Sequence, residues 1–169
     1  HARQAAVDAI EGGKADAYTE NKGIRSLREA IAEKHRADQG VDLDPANVIA
    51  TAGGSEALHV ALEAHVSEGD EVVIPDPGFV SYDALTKLAG GEPVPAPLRD
   101  DLTVDPAAIE AAITDDTAAF VVNSPGNPTG AVSSEADVRE FARIADEHDV
   151  LCISDEVYEY TVFDGAHHS

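Results

Sequence analysis

Short apolar runs alternate with helical patterns along most of this chain of 169 residues. The runs Glu71–Pro75, Ala118–Val122 and Val150–Ser154 are typical of buried strands, and amphipathic stretches separate them. Val48–Thr51 and Glu92–Ala96 are predicted as two further strands, the second at a sheet edge because its prolines cannot donate to a ladder. Such alternation favours a mainly parallel sheet with helices on both faces. We therefore predict an α/β fold, a three-layer α/β/α sandwich.

The helical stretches are bounded by residues that start or stop helices. The predicted helices are Ala2–Glu11, Ile24–Gln39, Ser55–Val66, Phe79–Leu88, Asp105–Ile113 and Ser134–Glu147. In the fifth of these, Asp105 is the predicted N-cap and Pro106 lies in the first turn. We divide the sequence into an N-terminal helix and link, residues 1–22, and a larger α/β domain, residues 23–169.

The charge of the chain narrows the classes of partner. There are 33 acidic and 11 basic residues, a net charge of −22 with His neutral. Nucleic-acid binding needs a basic face that replaces counterions, so this balance argues against a nucleic-acid partner. Because the acids are spread along the chain, we interpret them as a solvated surface, of the kind seen in proteins of salt-loving organisms.

Other features of the sequence bear on the cellular compartment of the protein. The apolar runs are strand-sized, so no transmembrane helix is predicted, and no secretory signal is visible. The single cysteine, Cys152, lies in an apolar run and is predicted to be a small buried hydrophobe, which fits a reducing cytoplasm. The chain begins at His1 without an initiator Met, so we expect a processed chain or a piece of a longer protein.

Polar side chains follow two of the predicted strands. Asn127 lies in the loop Asn123–Gly130 after one strand, and Asp155 and Tyr158 follow the next. The carboxyl ends of successive strands are where an open α/β sheet places its ligand site. A carboxylate there is costly to bury unless a cation or good donors pair with it. An amide, a carboxylate and a phenol together suit an aromatic heterocycle with a basic nitrogen and a phenolate.

A second pattern lies upstream, where Val48–Thr51 runs through two glycines into a helix. Backbone N–H groups at the helix N-terminus and the Ser55 hydroxyl can bind an anion, although a plain strand-to-helix turn has the same pattern. The segment is also similar to a nucleophile elbow, and a hydrolase would use Ser55 with Asp155 and His167. Phe79, after another strand, either stacks on a flat ligand or packs in the core.

Taken together, these segments resemble the class I/II aminotransferases, the pyridoxal-phosphate enzymes of fold type I, over almost the whole chain. The positions that match the family's site for pyridoxal 5'-phosphate are Tyr18, Gly54, Ser55, Phe79, Asn127, Asp155 and Tyr158. The resemblance implies that Gly54 and Ser55 hold the phosphate and that Phe79 stacks on the pyridine ring. It also implies that Tyr18 reaches the phosphate bound by the neighbouring subunit.

The remaining implied roles concern the ring and the substrate. Asn127 and Tyr158 match the partners of the ring oxygen, and Asn127 and Phe79 also match substrate contacts. Asp155 matches the catalytic carboxylate that keeps the ring nitrogen protonated, so that the ring withdraws electrons from the substrate α-carbon. The resemblance implies amino transfer between an amino acid and a 2-oxo acid by a cytoplasmic homodimer. The strand-sized apolar runs predict no membrane partner, and the spacing of the histidines, with His59 and His65 on different faces of a helix, predicts no metal.

The family also has a lysine that this sequence lacks. Its Schiff-base lysine follows the Asp-x-x-Tyr segment, whereas the lysines here all precede it: Lys14, Lys22, Lys34 and Lys87. We therefore expect an incomplete large domain that is inactive alone, from a parent that is an aminotransferase. Two alternatives stay open: a carbon–sulfur lyase on the same scaffold, and the non-catalytic aminotransferase-like binding domain of a regulator. The substrate stays open among aspartate-like, aromatic and branched amino acids.

Overall fold

The computed structural model describes residues 1–13 and 16–169, so Lys14 lies outside the described residues. Two compact units are present, His1–Thr51 and Ala52–Ser169. The described residues form the helices α1 (Ala2–Glu11), α2 (Arg25–Gln39), α3 (Gly54–His65), α4 (Ser81–Leu88), α5 (Pro106–Ala112) and α6 (Glu135–His148). They also form the strands β1 (Glu71–Asp76), β2 (Glu92–Pro97), β3 (Thr117–Asn123) and β4 (Leu151–Asp155). Within the described ranges, no helix is long and apolar enough to cross a membrane.

The first unit contains a buried basic side chain, Arg28, which is only 6% exposed. Its guanidinium donates hydrogen bonds to the carbonyls of Gly23 and Pro45, at 3.1 and 2.9 Å, and to the Glu20 carboxylate at 2.6 Å. A buried guanidinium is tolerated when its donors are satisfied in this way. These bonds fasten α2 to the irregular link that precedes it and to the 3₁₀ turn Pro45–Asn47.

The prediction of a strand at Val48–Thr51 is wrong. Val48 is buried and has an extended backbone, with φ of −98° and ψ of 131°, which accounts for the strand-like sequence. A strand also needs a neighbour in a ladder, and here the Ala50 N–H donates instead to the carbonyl of Lys22 at 3.0 Å. The described part of the chain therefore has four strands in its sheet rather than the five predicted.

The second unit is built on a parallel sheet with the strand order β2-β1-β3-β4. The prediction that the proline-rich strand lies at an edge is confirmed, because β2 pairs with β1 alone. In the β3–β4 ladder the last pair is Asn123 with Asp155, so the loops that follow these strands start side by side. The predicted N-cap is also confirmed, since the Asp105 carboxylate accepts the Ala107 N–H.

Strand β3 contributes to a hydrophobic core on each face of the sheet. Phe120 and Val122 belong to one cluster, and Ala119 and Val121 belong to the other. The first cluster also contains Ile109, Phe141 and Ile144 from α5 and α6. The second also contains Leu58, Leu62 and Tyr82 from α3 and α4. Because helices cover both faces of the sheet, the predicted three-layer α/β/α sandwich is confirmed.

Cys152 on β4 packs against the first of these clusters and is partly buried. Burial raises the pKa of its thiol to about 11, and the nearby charge of Glu156 acts in the same direction. The thiol is therefore protonated and unreactive at neutral pH, as expected of a cysteine that serves as a hydrophobe.

Candidate functional site

A cavity of about 170 Å³ lies where the parallel strands end, beside the N-terminus of α3. Six of the seven predicted site residues line it: Gly54, Ser55, Phe79, Asn127, Asp155 and Tyr158. They come from four separate parts of the chain, and the parallel topology brings them together. The seventh, Tyr18, belongs to the first unit, where its side chain is fully exposed.

The α3 end of the cavity is formed by a tight turn into the helix. Gly53 is the N-cap and has a φ of 105°, a conformation that side-chain-bearing residues rarely adopt. The Glu56 carboxylate reaches back and accepts the Ala52 N–H, which fixes the start of the helix. In the first turn, the N–H groups of Gly54 and Ser55 have no intrahelical acceptor, and the helix dipole adds partial positive charge. This end of the cavity is therefore suited to an anion.

Phe79 lies in the turn between β1 and α4, because α4 begins at Ser81, two residues later than predicted. Its half-buried ring meets the ring of Tyr82 edge-on, with centroids 5.6 Å apart and an interplanar angle of 84°. The ring also packs against the second core cluster while it lines the cavity. Both functions considered from the sequence, stacking surface and core residue, are thus compatible with its position.

The carboxylate of Asp155 is held on two sides. The buried Tyr82 hydroxyl donates to its Oδ2 at 2.8 Å, and the Val157 N–H donates to its Oδ1 at 3.2 Å. Burial raises the pKa of Tyr82 far above its usual range, and the hydrogen bond to Asp155 raises it further. The phenol therefore remains a proton donor throughout the neutral range. An acceptor carboxylate fixed in this way can receive a further hydrogen bond from a ligand in the cavity.

Asn127 and Tyr158 lie on the loops that follow β3 and β4. The backbone N–H of Asn127 donates to the side-chain Oδ1 of Asn123 at 2.6 Å. The peptide bonds before Pro125 and Pro128 in this loop are cis. Tyr158 is 39% exposed at the rim of the cavity. An amide and a phenol thus line the cavity together with the Asp155 carboxylate.

Two further lining residues with polar side chains, Tyr82 and Asn123, are missing from the set predicted from the sequence. Tyr82 could have been found from its spacing, since it follows Phe79 by three residues on an amphipathic segment. Asn123 is the last residue of β3, at the strand-end position that identified Asp155 on β4. Its burial, with 4% exposure, is the sign that its amide must find partners inside the protein.

His167 pairs with Glu156 in the structure, since its Nε2 lies 3.0 Å from Oε2 of that carboxylate. The Asp155 carboxylate is engaged by Tyr82 instead. The described residues therefore do not assemble the hydrolase arrangement of Ser55, Asp155 and His167. Ligand atoms of Glu156, Glu159 and His167 lie within 4.8 Å of one another, so the absence of a metal stays a prediction.

The fold and the cavity define a three-layer α/β protein with a ligand site at the ends of its parallel strands. A sequence profile of the family described as aminotransferase class I and II matches residues 1–169. The chain therefore belongs to the class I and II aminotransferase family.

The chain spans less than half the length of three aminotransferases to which it is similar. A probable aspartate/prephenate aminotransferase of Thermus aquaticus is 42% identical over 171 residues, which cover 100% of this chain and 44% of that protein. Aromatic-amino-acid aminotransferase 2 of Thermococcus litoralis is 41% identical over 98% of this chain and 43% of its own length. Among solved structures, the aspartate aminotransferase of Thermus thermophilus with maleate superposes with a TM-score of 0.96. It is 41% identical, and the match covers 99% of this chain and 44% of that one.

Proposed function

We propose that this chain forms the cofactor-binding part of a pyridoxal-phosphate-dependent aminotransferase, which moves an amino group between an amino acid and a 2-oxo acid. The observation that carries the proposal is the Asp155 carboxylate at the cavity, held by Tyr82 beside the ring of Phe79. The similar proteins are named as aminotransferases, which supports this function over a lyase or a regulator.

The anion-binding end and the aromatic wall of the cavity fit a phosphorylated pyridine. We propose that the N–H groups of Gly54 and Ser55, with the Ser55 hydroxyl, hold the phosphate of pyridoxal 5'-phosphate. The ring of Phe79 lies where it can stack on a pyridine, and the edge-on contact with Tyr82 fixes its orientation.

The polar groups at the strand ends fit the substituents of the same ring. We propose that Asp155 accepts a hydrogen bond from the protonated ring nitrogen and that Asn127 and Tyr158 donate to the ring oxygen. When bound, the protonated ring supplies an electron sink for the substrate α-carbon. The residues of this chain position that ring and keep its nitrogen protonated, and Asn127 and Phe79 also contact the substrate.

We propose that the lysine that holds the cofactor comes from a part of the whole protein outside these residues. The cavity lining contains no lysine among the described residues. The similar proteins match this chain over 44% and 43% of their length, which leaves room for further elements. We also propose residues 1–22 as the N-terminal helix and link and residues 23–169 as part of the large domain.

Two observations support our proposals for the oligomeric state and the cellular environment of the protein. The fully exposed Tyr18 is available to contact the phosphate bound by a neighbouring subunit, which supports a homodimer. The net charge of −22 supports a protein of a salt-rich cell, and the family resemblance implies a cytoplasmic location. The names of the similar proteins include aspartate, prephenate and aromatic amino acids, so the proposed substrates are an amino acid and a 2-oxo acid.

Titration of the chain with pyridoxamine 5'-phosphate tests the proposal, because this form needs no lysine for a covalent bond. We expect saturable binding by the wild type, followed by fluorescence of the pyridine ring. Asp155→Asn removes a charged hydrogen bond worth about 2 kcal/mol, so binding should weaken roughly 30-fold.

The matched control for this titration is Asp83→Asn, which removes an exposed carboxylate on α4 that pairs with Lys87. We expect the control to bind like the wild type. Equal affinity of the Asp155→Asn variant and the wild type would contradict the role of Asp155, and absence of saturable binding by the wild type would contradict the proposed function.

A further inference from the structure

The side chain of Asn123 joins the end of β4, where Asp155 lies, to the loop that carries Asn127. Its Nδ2 donates to the backbone carbonyl of Asp155 at 2.9 Å, and its Oδ1 accepts the backbone N–H of Asn127 at 2.6 Å. The side chain is buried, with 4% exposure of the residue, so water does not compete strongly for these bonds.

These two hydrogen bonds lie at the point where strands β3 and β4 end. Asn123 and Asp155 form the last pair of the β3–β4 ladder, and beyond that pair the two loops leave the sheet. The Ser124 N–H also donates to the Asp155 carbonyl, at a longer 3.3 Å. The Asn123 amide therefore continues the link between the strands into the region where the cavity begins.

The bonds require an amide at this position. The Nδ2 group of Asn123 donates across the sheet to the Asp155 carbonyl. The Oδ1 atom accepts the backbone N–H of Asn127, four residues further along the chain. An ionised Asp would keep the acceptor but lose the donor, and an Ala would lose both.

We propose that Asn123 is a positioning residue whose amide fixes the separation between Asp155 and Asn127. Its consequence for ligand binding rests on the proposed function, in which Asp155 contacts the nitrogen and Asn127 the oxygen of one pyridine ring. Asn123 acts through their backbones, so its removal should alter the fit of the ring without removing a ring contact.

Ser124 provides a matched control from the same loop. It is buried to the same extent as Asn123, with 4% exposure, and its Oγ accepts the backbone N–H of Ser133 at 2.9 Å. Ser124→Ala therefore also removes a buried hydrogen bond, but not one that involves Asp155 or Asn127.

Amide hydrogen exchange of the unliganded chain, followed by NMR, tests the link itself. In Asn123→Ala, exchange of the Asn127 amide should rise about tenfold or more, whereas in Ser124→Ala only the Ser133 amide should respond in this way. Asn123→Asp keeps the acceptor for the Asn127 amide and serves as a second variant if the Ala variant does not fold. Its Asn127 amide should stay protected while its binding weakens. Unchanged exchange at Asn127 in Asn123→Ala would overturn the link.

Binding of pyridoxamine 5'-phosphate tests the positioning role. Asn123→Ala and Asn123→Asp should each weaken binding about tenfold, the equivalent of one buried hydrogen bond, while Ser124→Ala binds like the wild type. With a ¹⁵N-labelled ring nitrogen, the chemical shift of the bound ligand should move in the Asn123 variants only, because the contact with Asp155 is displaced. Equal losses in the Ser124 and Asn123 variants, or an unchanged ¹⁵N shift, would overturn the positioning role. Failure of the wild type to bind, with the exchange pattern intact, would overturn the proposed function and leave the link supported.

Discussion

The hydroxyl of Tyr82 donates a hydrogen bond of 2.8 Å to Oδ2 of Asp155, although the two residues are far apart in the sequence. Tyr82 is 1% exposed and belongs to a core cluster, whereas Asp155 borders the cavity. A phenol from the core thus fixes the orientation of the carboxylate to which we assign the ring nitrogen.

Tyr82→Phe should lower the free energy of unfolding by about 1 kcal/mol, because the ring remains packed while one buried hydrogen bond is lost. Urea unfolding of both proteins measures this difference. Tyr18→Phe, which removes a hydroxyl from a fully exposed ring, is the control and should change stability by less than about 0.5 kcal/mol. Equal stability of Tyr82→Phe and the wild type would show that the hydrogen bond contributes nothing net.

The raised pKa of Tyr82 predicts a loss of stability at alkaline pH. In the unfolded chain the phenol ionises near its ordinary pKa of 10.0, whereas the folded chain retains the proton because of burial and the bond to Asp155. The unfolded state therefore releases a proton first, so this stabilisation is complete below pH 10.0 and declines above it. Urea midpoints from about pH 8 to about pH 11 should fall less steeply for Tyr82→Phe than for the wild type. Parallel declines would contradict this assignment.

Replacement of Phe79 by Leu should weaken the binding of pyridoxamine 5'-phosphate roughly fivefold to tenfold, because a stacked aromatic surface worth about 1 kcal/mol is lost. The neighbouring Val80 is 81% exposed, so Val80→Ala is a suitable control and should leave binding unchanged. If both variants bind like the wild type, the ring of Phe79 serves the core alone.

Reduction with borohydride in the presence of pyridoxal 5'-phosphate should label no single lysine of this chain stoichiometrically. Lys87 pairs with Asp83 at 2.8 Å and Lys22 donates to the carbonyl of Ala46 at 3.2 Å, and neither lines the cavity. Peptide mass spectrometry should find low labelling spread over several lysines. One fully labelled lysine would contradict the proposal that the tethering lysine lies outside these residues.

The lowered pKa of Glu156 predicts a contribution to stability that is lost in acid. Burial acts to raise this pKa, but hydrogen bonds from Ser154, His167 and Ser169 outweigh burial and hold it below its ordinary value of 4.5. The stabilisation is therefore fully present above pH 4.5 and is lost as the pH falls through the lower pKa of the folded state.

Urea unfolding between about pH 3 and pH 6 measures this contribution. Glu156→Gln should flatten the acid dependence, while Glu63→Gln, on the exposed side of α3, should follow the wild type. A Glu156→Gln curve that is parallel to the wild-type curve would contradict the expectation.

The order of helices and strands could be predicted from the sequence because local patterns encode it. The exception, Val48–Thr51, shows the limit: its residues are extended, but a ladder depends on a partner elsewhere in the chain. The alternation could not indicate whether that partner exists.

The cavity residues could be predicted where a motif was specific, as with Asn127, Asp155 and Tyr158. The spacing of Tyr82 and the strand-end position of Asn123 are signals, but they do not single these residues out, because a tyrosine on an amphipathic helix and an asparagine at a strand end are common for structural reasons alone. Their involvement depends on hydrogen bonds between distant segments, which only the folded structure reveals.

Tyr82 belongs both to the hydrophobic core and to the cavity lining, and this affects how the cavity can change among related proteins. Its ring packs in the same cluster as Leu62 and Val72, while its hydroxyl restrains Asp155. A change of volume at either aliphatic residue moves the phenol, and the carboxylate must follow or lose its partner. Relatives with identical cavity linings can therefore differ in how they hold this carboxylate because of substitutions that no ligand ever touches.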